Sequence, residues 1–203
     1  MYTPKYYRND DPESIRGFIR ENGFGILISQ TSGQLFATHI PLLLSDDGTK
    51  LTGHVARGNP QWKSFATAGE VLAIFNGPHT YISSSWYDHE NVPTWNYVAA
   101  HIYGTLRVIS DAELRASLKQ LMDKYEKGSE KPARVEDLSD HYMKHELMGI
   151  VGFEIAINRM EATAKLSQNR DAVNHQAIIQ QLQKRGDAAS LEVAELMKVH
   201  GHK

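Results

Sequence analysis

A strand ends and a helix begins within one stretch, Gly53-His54-Val55-Ala56-Arg57-Gly58-Asn59-Pro60-Gln61-Trp62-Lys63. The alternation in residues 51–56 is typical of a half-buried strand, and Asn59-Pro60 is a favoured start for a helix. Arg57 would therefore lie beside a helix N-terminus, where free N–H groups and the arginine fork can bind phosphate oxygens. The alternative is a capped helix with Arg57 in a surface ion pair. The local sequence is compatible with both.

The composition of the 203-residue chain is that of an ordinary globular protein, with 41% hydrophobic and 23% charged residues. A net charge of −2 gives no overall attraction to nucleic acid or to an anionic membrane. Because the chain has no cysteine, disulfides, thiolate metal sites and cysteine nucleophiles are excluded. The longest apolar run, residues 40–44, is too short to span a membrane, and residues 1–10 lack the apolar segment of a signal peptide. We expect a cytoplasmic protein.

The order of strands and helices predicts an α+β fold. Apolar and β-branched runs predict strands over residues 24–30, 35–44, 51–56, 70–76, 79–86, 97–109 and 149–160. Capping residues and apolar periodicity predict helices that begin near residues 12, 60, 110, 135 and 168. Ser167 is the expected N-cap of the last region, in which Gly186 separates two helical stripes. Such a set fits either a barrel or an open sheet.

Ten histidines raise the question of a metal site. His141 and His145 are spaced to share a helix face, but no third ligand accompanies them, and the zinc-binding pattern His-Glu-x-x-His is absent. His39, in the run Ala37-Thr38-His39-Ile40-Pro41-Leu42, would face a ligand or a neighbouring element, and Pro41 in that run indicates a strand edge or a bulge. We therefore predict no metal site.

Residues 86–97 are rich in aromatic side chains, including Trp86 and Trp95. Loops that keep such residues usually cover a ligand, a partner or an edge of the core. A planar ring could stack on either tryptophan, and the same residues would suit a dimer interface. The later segment Lys165-Leu166-Ser167-Gln168-Asn169-Arg170 offers cationic, hydroxyl and amide donors to a phosphate or to ring carbonyls, or is a solvated helix start.

The common catalytic and nucleotide-binding motifs are absent. The sequence contains no Gly-x-Ser-x-Gly, no Gly-x-Gly-x-x-Gly and no Walker-type loop. We therefore assign no catalytic residue and expect any phosphate site in the Arg57 region.

Five motifs, taken in their order along the chain, resemble those of the PaiB-type negative transcriptional regulators. They are residues 37–42, 53–62, 81–87, 92–97 and 165–170. The resemblance implies the FMN-binding split β-barrel of pyridoxamine-phosphate-oxidase-like flavoproteins, with peripheral helices and a C-terminal helical pair. It also implies a homodimer with the flavin in the groove between the subunits. In one departure, Ser84 stands where we expect proline, which loosens that loop.

The resemblance also implies which residues bind FMN. The expected contacts are Thr38, His39, His54, Ala56, Arg57, Asn59, Lys63, Trp95, Asn96, Lys165, Ser167 and Gln168. Arg57, aided by Lys63, is expected to bind the phosphate, in agreement with the charge argument above. We expect residues 1–167 to form the FMN-binding domain and residues 168–203 to form a helical extension packed on the barrel or on the partner subunit.

The function implied by the resemblance is repression of genes for degradative enzymes and sporulation, governed by redox state or by a metabolite. Direct DNA binding would need a reading element, and the candidate is the helix pair 172–185 and 188–200, where Glu192 and Glu195 would face DNA phosphates unfavourably. A helical pair packed on the barrel or on the partner is the favoured alternative. Two other functions stay open, an FMN-dependent oxidase or reductase and a heme-binding barrel with a histidine ligand.

Overall fold

The computed structural model describes residues 1–201 and has a mixed α+β fold built on an eight-stranded sheet. The strands are β1 (Arg8–Asn9), β2 (Phe24–Thr31), β3 (Gln34–Pro41), β4 (Leu43–Leu44), β5 (Lys50–Ala56), β6 (Glu70–Ile82), β7 (Thr94–Val108) and β8 (Ile150–Lys165). The α-helices are α1 (Pro12–Glu21), α2 (Asp111–Tyr125), α3 (Asp140–Met148), α4 (Ala172–Arg185) and α5 (Ala188–His200). Short 3-10 helices cover Lys5–Tyr7, Pro60–Thr67, Ser84–Trp86 and Val135–Asp137.

The chain forms two compact units. The first unit comprises Met1–Phe18, Phe75–His101 and the described residues from Met160 onward. The second unit comprises Ile19–Ile74 and Ile102–Arg159. Strands β6, β7 and β8 each contribute residues to both units.

In the second unit the sheet closes on itself. The strand order is β3-β2-β6-β7-β8-β5-β4, yet the first and last strands of this order are separated in the chain only by Leu42. The two ends of the order must therefore be adjacent, which requires a curved, barrel-like sheet and excludes an open one. Strands β2 and β3 pair as an antiparallel hairpin whose turn, Ser32-Gly33, has positive φ at both residues.

The core of the second unit explains why the residue at position 53, within β5, is a glycine. Leu42, Leu51, Phe65 and Phe153 are buried, and the two phenylalanine rings meet edge to face with their centroids 5.3 Å apart. A Cβ atom on Gly53 would lie 2.9 Å from both Leu42 and Phe153. Position 53 must therefore be glycine for these side chains to pack against β5.

In the first unit, α4 and α5 pack against strand residues in one apolar core. Its buried members are Ile82, Tyr87, Ala164, Leu166, Ile178, Ile179, Leu182, Val193, Ala194 and Met197. Asp171 caps α4, Gly186 ends it in the left-handed conformation with φ of 75°, and Asp187 caps α5. The C-terminal helices therefore share a core with residues of β6 and β8.

Several predicted strand limits are wrong, and two of them have a clear physical cause. Strands β7 and β8 are longer than predicted, and residues 84–86 form a 3-10 helix where a strand was expected. Strand β6 continues through Gly77-Pro78, where the sequence predicts a break. A Cβ on Gly77 would lie 2.6 Å from Cε2 of Phe18, so glycine is needed for this ring to pack, and proline can stay extended although it lacks an N–H donor. Conversely, the strand predicted over residues 35–44 is interrupted, because Leu42 separates β3 from β4 directly after Pro41.

Two predicted helix starts are also displaced. The helix predicted from residue 135 is a 3-10 turn followed by α3, because Ser139 caps α3 by accepting a hydrogen bond from the Tyr142 N–H at 3.2 Å. Ser167 does not cap α4, since its φ of 58° is left-handed and its hydroxyl donates to Asn96 Oδ1. Asp171 occupies that cap instead. The helix predicted near residue 110 begins with the full capping box of Ser110 and Glu113.

Candidate functional site

Seven of the predicted flavin contacts lie in the second unit. They are Thr38 and His39 on β3, His54 and Ala56 on β5, and Arg57, Asn59 and Lys63 on the segment that follows β5. Because only residues 57–59 separate β5 from the 3-10 helix Pro60–Thr67, these last five positions lie on one continuous segment of the chain. The predicted helix is thus present, but as a 3-10 helix.

A chain of hydrogen bonds holds the start of this 3-10 helix against β3. The Asn59 side chain accepts from the Gln61 N–H at 2.9 Å and donates to Thr38 Oγ1 at 2.9 Å. Thr38 Oγ1 donates to Gln61 Oε1 at 2.7 Å, and Gln61 Nε2 donates to Ser29 Oγ at 2.9 Å. Gln61 is fully buried, and sequence reasoning missed it. In the sequence, only the position of Gln61 two residues after the cap residue Asn59 indicates a structural role.

Arg57 is oriented by backbone carbonyls. Its Nε donates to Met148 O at 2.6 Å and its Nη2 donates to Ile150 O at 2.9 Å. The Trp62 ring lies 5.9 Å from the guanidinium carbon, and its Nε1 donates to the Arg57 carbonyl at 2.8 Å. A guanidinium has five N–H donors, so Arg57 keeps donors for a ligand while its position is set. The surface ion pair considered as an alternative does not form with any carboxylate of residues 1–201.

Unlike Arg57, the side chains of Lys63, His54 and His39 make no hydrogen bonds within residues 1–201. Lys63 is exposed, and its ammonium has no hydrogen bond or ion pair within the described chain. His54 is half-buried on β5, and burial lowers the pKa of its imidazole, which keeps the ring neutral at neutral pH. A neutral ring offers one donor and one acceptor. His39 is exposed and stacks on Phe24 with the ring centroids 6.5 Å apart.

The chemistry of this donor set fits a phosphorylated flavin. Lys63 supplies an ammonium with free donors, and Arg57 supplies a fixed guanidinium, the two groups that proteins use most often for phosphate. His54 adds a neutral donor and acceptor suited to ribityl hydroxyls or ring carbonyls. Thr38 and Asn59 are already bonded to each other and to Gln61, so their main effect is to fix the segment that presents the cations.

The other five predicted contacts lie in the first unit, and only two of them present side chains to solvent. Trp95 is 52% exposed and contacts His79 and Tyr81, with ring centroids 6.2 Å and 6.0 Å away. A shallow cavity of about 360 Å³ adjoins it; its lining residues are Asn76, Gly77, His79, Trp95, Tyr97 and Val98. Lys165 is half-buried and donates from Nζ to Thr94 Oγ1 at 2.5 Å.

Asn96, Ser167 and Gln168 are buried, and their polar atoms bond within the first unit. Ser167 Oγ donates to Asn96 Oδ1 at 3.0 Å. Gln168 Nε2 donates to Ala164 O at 2.6 Å and to Tyr6 O at 3.1 Å, and its Oε1 accepts from the Leu166 N–H at 2.8 Å. These side chains therefore shape the turn after β8 and have few atoms left for a ligand.

Two further observations describe what residues 1–201 do not contain. No group of three or more histidine, aspartate and glutamate side chains in that range is arranged to hold a metal ion. Within the same range, every helix is too short or too polar to cross a bilayer.

A family model described as "Putative FMN-binding domain" matches residues 1–159. The chain is also 44% identical over 200 residues to "Protease synthase and sporulation protein PAI 2" of Bacillus subtilis. That match covers 98% of this chain and 97% of the relative. The similarity therefore extends through the C-terminal helices, beyond the part that the family model covers.

Two solved structures share the fold. The FAD and heme binding protein from Mycobacterium smegmatis matches with a TM-score of 0.63 and 19% identity, over 84% of this chain and 79% of that chain. The flavocytochrome Anf3 from Azotobacter vinelandii matches with a TM-score of 0.62 and 14% identity, over 80% and 72%. At these identities the likeness concerns the fold alone. The expectation of a split β-barrel with peripheral helices is confirmed.

Proposed function

We propose, because this chain belongs to the FMN-binding domain family, that it is an FMN-binding negative regulator of transcription. Its targets would be genes for degradative enzymes and sporulation. The observation that carries this role is the match to the Bacillus subtilis relative, whose name refers to protease synthase and sporulation. That sequence aligns along nearly the whole of both chains. A shared barrel would not support such a role, because one fold hosts many functions.

For the second unit, we assign the flavin phosphate to Arg57 and Lys63. His54, His39 and Ala56 lie on the strands beside them and would contact the rest of the nucleotide. In the first unit, Trp95 offers an exposed ring for stacking and Lys165 offers an ammonium. The remaining predicted residues act by positioning; they are Thr38, Asn59, Asn96, Ser167 and Gln168.

A bound flavin would supply a centre that can be reduced and reoxidised, so the protein would respond to redox state or to a metabolite that reduces the flavin. The residues named above would bind and orient the cofactor, and neutral His54 would hold a hydrogen bond without adding charge. We further propose that two copies of the chain form a homodimer with the flavin in the groove between them. A regulator of transcription acts where the DNA is, so we place the protein in the cytoplasm.

The cofactor assignment is tested by titrating FMN and riboflavin into the purified protein while following flavin fluorescence. We expect Lys63→Met to weaken FMN binding at least tenfold, which is about 1.4 kcal/mol, because a charge-assisted contact to phosphate is lost. Riboflavin lacks the phosphate, so its affinity should not change. Arg57→Ala should weaken FMN binding similarly, whereas Lys127→Met, at another exposed lysine, should have no effect. Equal FMN affinity in Lys63→Met, Arg57→Ala and wild type would contradict the assignment.

The regulatory role is tested in a Bacillus subtilis strain that lacks the PAI 2 relative. We expect this chain to restore normal exported-protease activity and spore counts, and the Lys63→Met variant to restore less. A folded, FMN-loaded protein that restores neither phenotype would contradict the regulatory role. Steady consumption of NADH by the FMN-loaded protein, or a Soret band after incubation with heme, would instead point to an oxidoreductase or to a heme protein.

A further inference from the structure

Two cations of the first unit lie close together with no acidic partner. They are Lys165, at the end of β8, and Arg170, which follows the turn after β8. Among residues 1–201, no carboxylate lies within ion-pair distance of either side chain. Together with Tyr7 and Tyr87 they form what we call the Lys165–Arg170 cluster.

Every contact that these cations make is with a neutral group. Lys165 Nζ donates to Thr94 Oγ1 at 2.5 Å and lies 5.8 Å from the centre of the Tyr7 ring. The guanidinium carbon of Arg170 lies 5.0 Å from the centre of the Tyr87 ring, and Nη2 donates to Asn91 Oδ1 at 3.4 Å. Partial burial, and then the charge of Arg170, lower the pKa of Lys165. The two positive charges therefore repel each other without a counter-charge.

The Tyr87 hydroxyl is a second, independent sign of a missing ligand. The Tyr87 side chain is 9% exposed, and its buried hydroxyl has no hydrogen-bond partner within residues 1–201. A buried polar group left unpaired destabilises the folded protein, so such groups are rare without a reason. Tyr87 is also close to Tyr7. Burial raises the pKa of Tyr7, the charge of Arg170 lowers it, and the nearby Tyr87 hydroxyl raises it; the net pKa is raised. Tyr7 thus keeps its proton and can donate.

We propose that the Lys165–Arg170 cluster binds the phosphate group of a small phosphorylated molecule. A phosphate has enough acceptor oxygens for an ammonium, a guanidinium and two phenol hydroxyls, and its charge would relieve the repulsion between the cations. This position is distinct from the Arg57 and Lys63 position proposed above for the FMN phosphate, although Lys165 is also a proposed flavin contact. The observations behind it hold whether or not FMN binds. In a regulator, a ligand at this site would act as an effector, and that last step rests on the proposed function.

The proposal is tested by calorimetric titration of inorganic phosphate into the protein at low ionic strength, with FMN present at saturation. We expect Arg170→Gln to raise the dissociation constant for phosphate at least tenfold. Lys184→Met removes an exposed charge of the same unit and should leave phosphate binding unchanged. Lys63→Met should also leave it unchanged, because Lys63 belongs to the other phosphate position. Lys165 is not used as the test because it is also a proposed flavin contact.

Tyr87→Phe separates a binding role from a structural one. This change removes only the hydroxyl and keeps the ring beside Arg170. We expect it to weaken phosphate binding while the melting temperature without phosphate stays equal or rises, because an unpaired buried hydroxyl is removed. A hydroxyl that served packing alone would show the opposite pattern, with a lower melting temperature and unchanged phosphate affinity.

Three results would overturn the proposal. They are no saturable phosphate binding to wild type, equal phosphate affinity in folded Arg170→Gln and wild type, and phosphate binding that appears only when FMN is left out, which would assign the cluster to the flavin phosphate. The fluorescence titration with FMN reports separately on the proposed function, because it measures FMN binding and not phosphate binding at the Lys165–Arg170 cluster. Phosphate binding that is lost only in Arg170→Gln supports the cluster even if wild type fails to bind FMN.

Discussion

Arg57 and Lys63 are both predicted to bind the flavin phosphate, but only Arg57 is held in place by hydrogen bonds within the protein. Arg57 donates to Met148 O and Ile150 O, so its guanidinium is fixed before any ligand arrives. Lys63 makes no such bonds within the described chain and would lose side-chain freedom on binding. For this reason, Lys63→Met tests the phosphate contact more cleanly than Arg57→Ala, which also removes two internal hydrogen bonds.

Two glycines with opposite surroundings provide a residue-scale prediction about packing. A Cβ on Gly104 in β7 would clash with the Ala156 carbonyl oxygen and lie 2.6 Å from Ile155 Cγ2. We expect Gly104→Ala to lower the free energy of unfolding by about 1–3 kcal/mol or more, as overpacking does. Gly17 lies in α1 with nothing within 4 Å of its Cβ position, so Gly17→Ala should raise the free energy of unfolding by about 0.5–1 kcal/mol. Urea unfolding of both variants measures this, and a stable Gly104→Ala would refute the close approach of β7 and β8.

The half-buried His54 makes stability depend on pH at the residue scale. Burial lowers the pKa of His54 below 6.5, so His54 is protonated more readily in the unfolded chain than in the folded protein. The contribution of His54 to stability is therefore fully present well above pH 6.5 and is lost as the pH falls from 6.5 towards the folded pKa. We expect the free energy of unfolding, measured without FMN between pH 7.5 and 5.5, to fall less steeply in His54→Asn than in wild type. Identical slopes would exclude a contribution from this histidine.

At the scale of elements, side-chain caps define where the helices begin. Ser110, Ser139, Asp171 and Asp187 each accept a backbone N–H at the start of a helix. Where two residues close in sequence could cap the same helix, tertiary contacts determine which of them does. Ser167 is buried and bonded to Asn96, which leaves Asp171 to cap α4.

The capping box of α2 provides the prediction at this scale. The Ser110 hydroxyl accepts from the Glu113 N–H at 3.4 Å, and Glu113 Oε2 accepts from the Ser110 N–H at 2.8 Å. We expect Ser110→Ala to lower the free energy of unfolding by about 1 kcal/mol. Ser129 is exposed and its hydroxyl has no hydrogen bond within residues 1–201, so Ser129→Ala serves as the control with little change. Denaturant unfolding followed by circular dichroism measures both, and equal stabilities would argue against the box.

At the scale of the whole molecule, the two units use their helices differently. In the second unit, α2 reaches β5 through a hydrogen bond from the Ser117 hydroxyl to Thr52 Oγ1 at 3.1 Å. In the first unit, α4 and α5 supply most of the buried side chains of the core described above. Removal of these helices would expose the strand residues Ile82 and Ala164, so we expect the first unit to depend on them.

The first unit should therefore lose stability when a buried side chain of α4 is shortened. Leu182 in α4 is fully buried, and Leu182→Ala should lower the free energy of unfolding by about 2–5 kcal/mol. Leu191 in α5 is 42% exposed, and Leu191→Ala should cost less than about 1 kcal/mol. Thermal or urea unfolding followed by tryptophan fluorescence compares them. If Leu182→Ala is no more harmful than Leu191→Ala, α4 does not contribute to a shared core.

A resemblance of five motifs to the PaiB-type regulators implied the split β-barrel family. Local patterns in the sequence were enough to predict most strands and helices and the capping box of Ser110. These features depend on neighbouring residues, whose spacing is visible along the chain. The break predicted at Gly77-Pro78 was wrong because Phe18, far away in sequence, packs there. Likewise, only the folded chain distinguishes Lys63, whose donors are free within residues 1–201, from Gln168, whose donors bind backbone carbonyls. Hydrogen bonding and burial are set by residues distant in sequence, so the tertiary structure alone decides which polar atoms remain for a ligand.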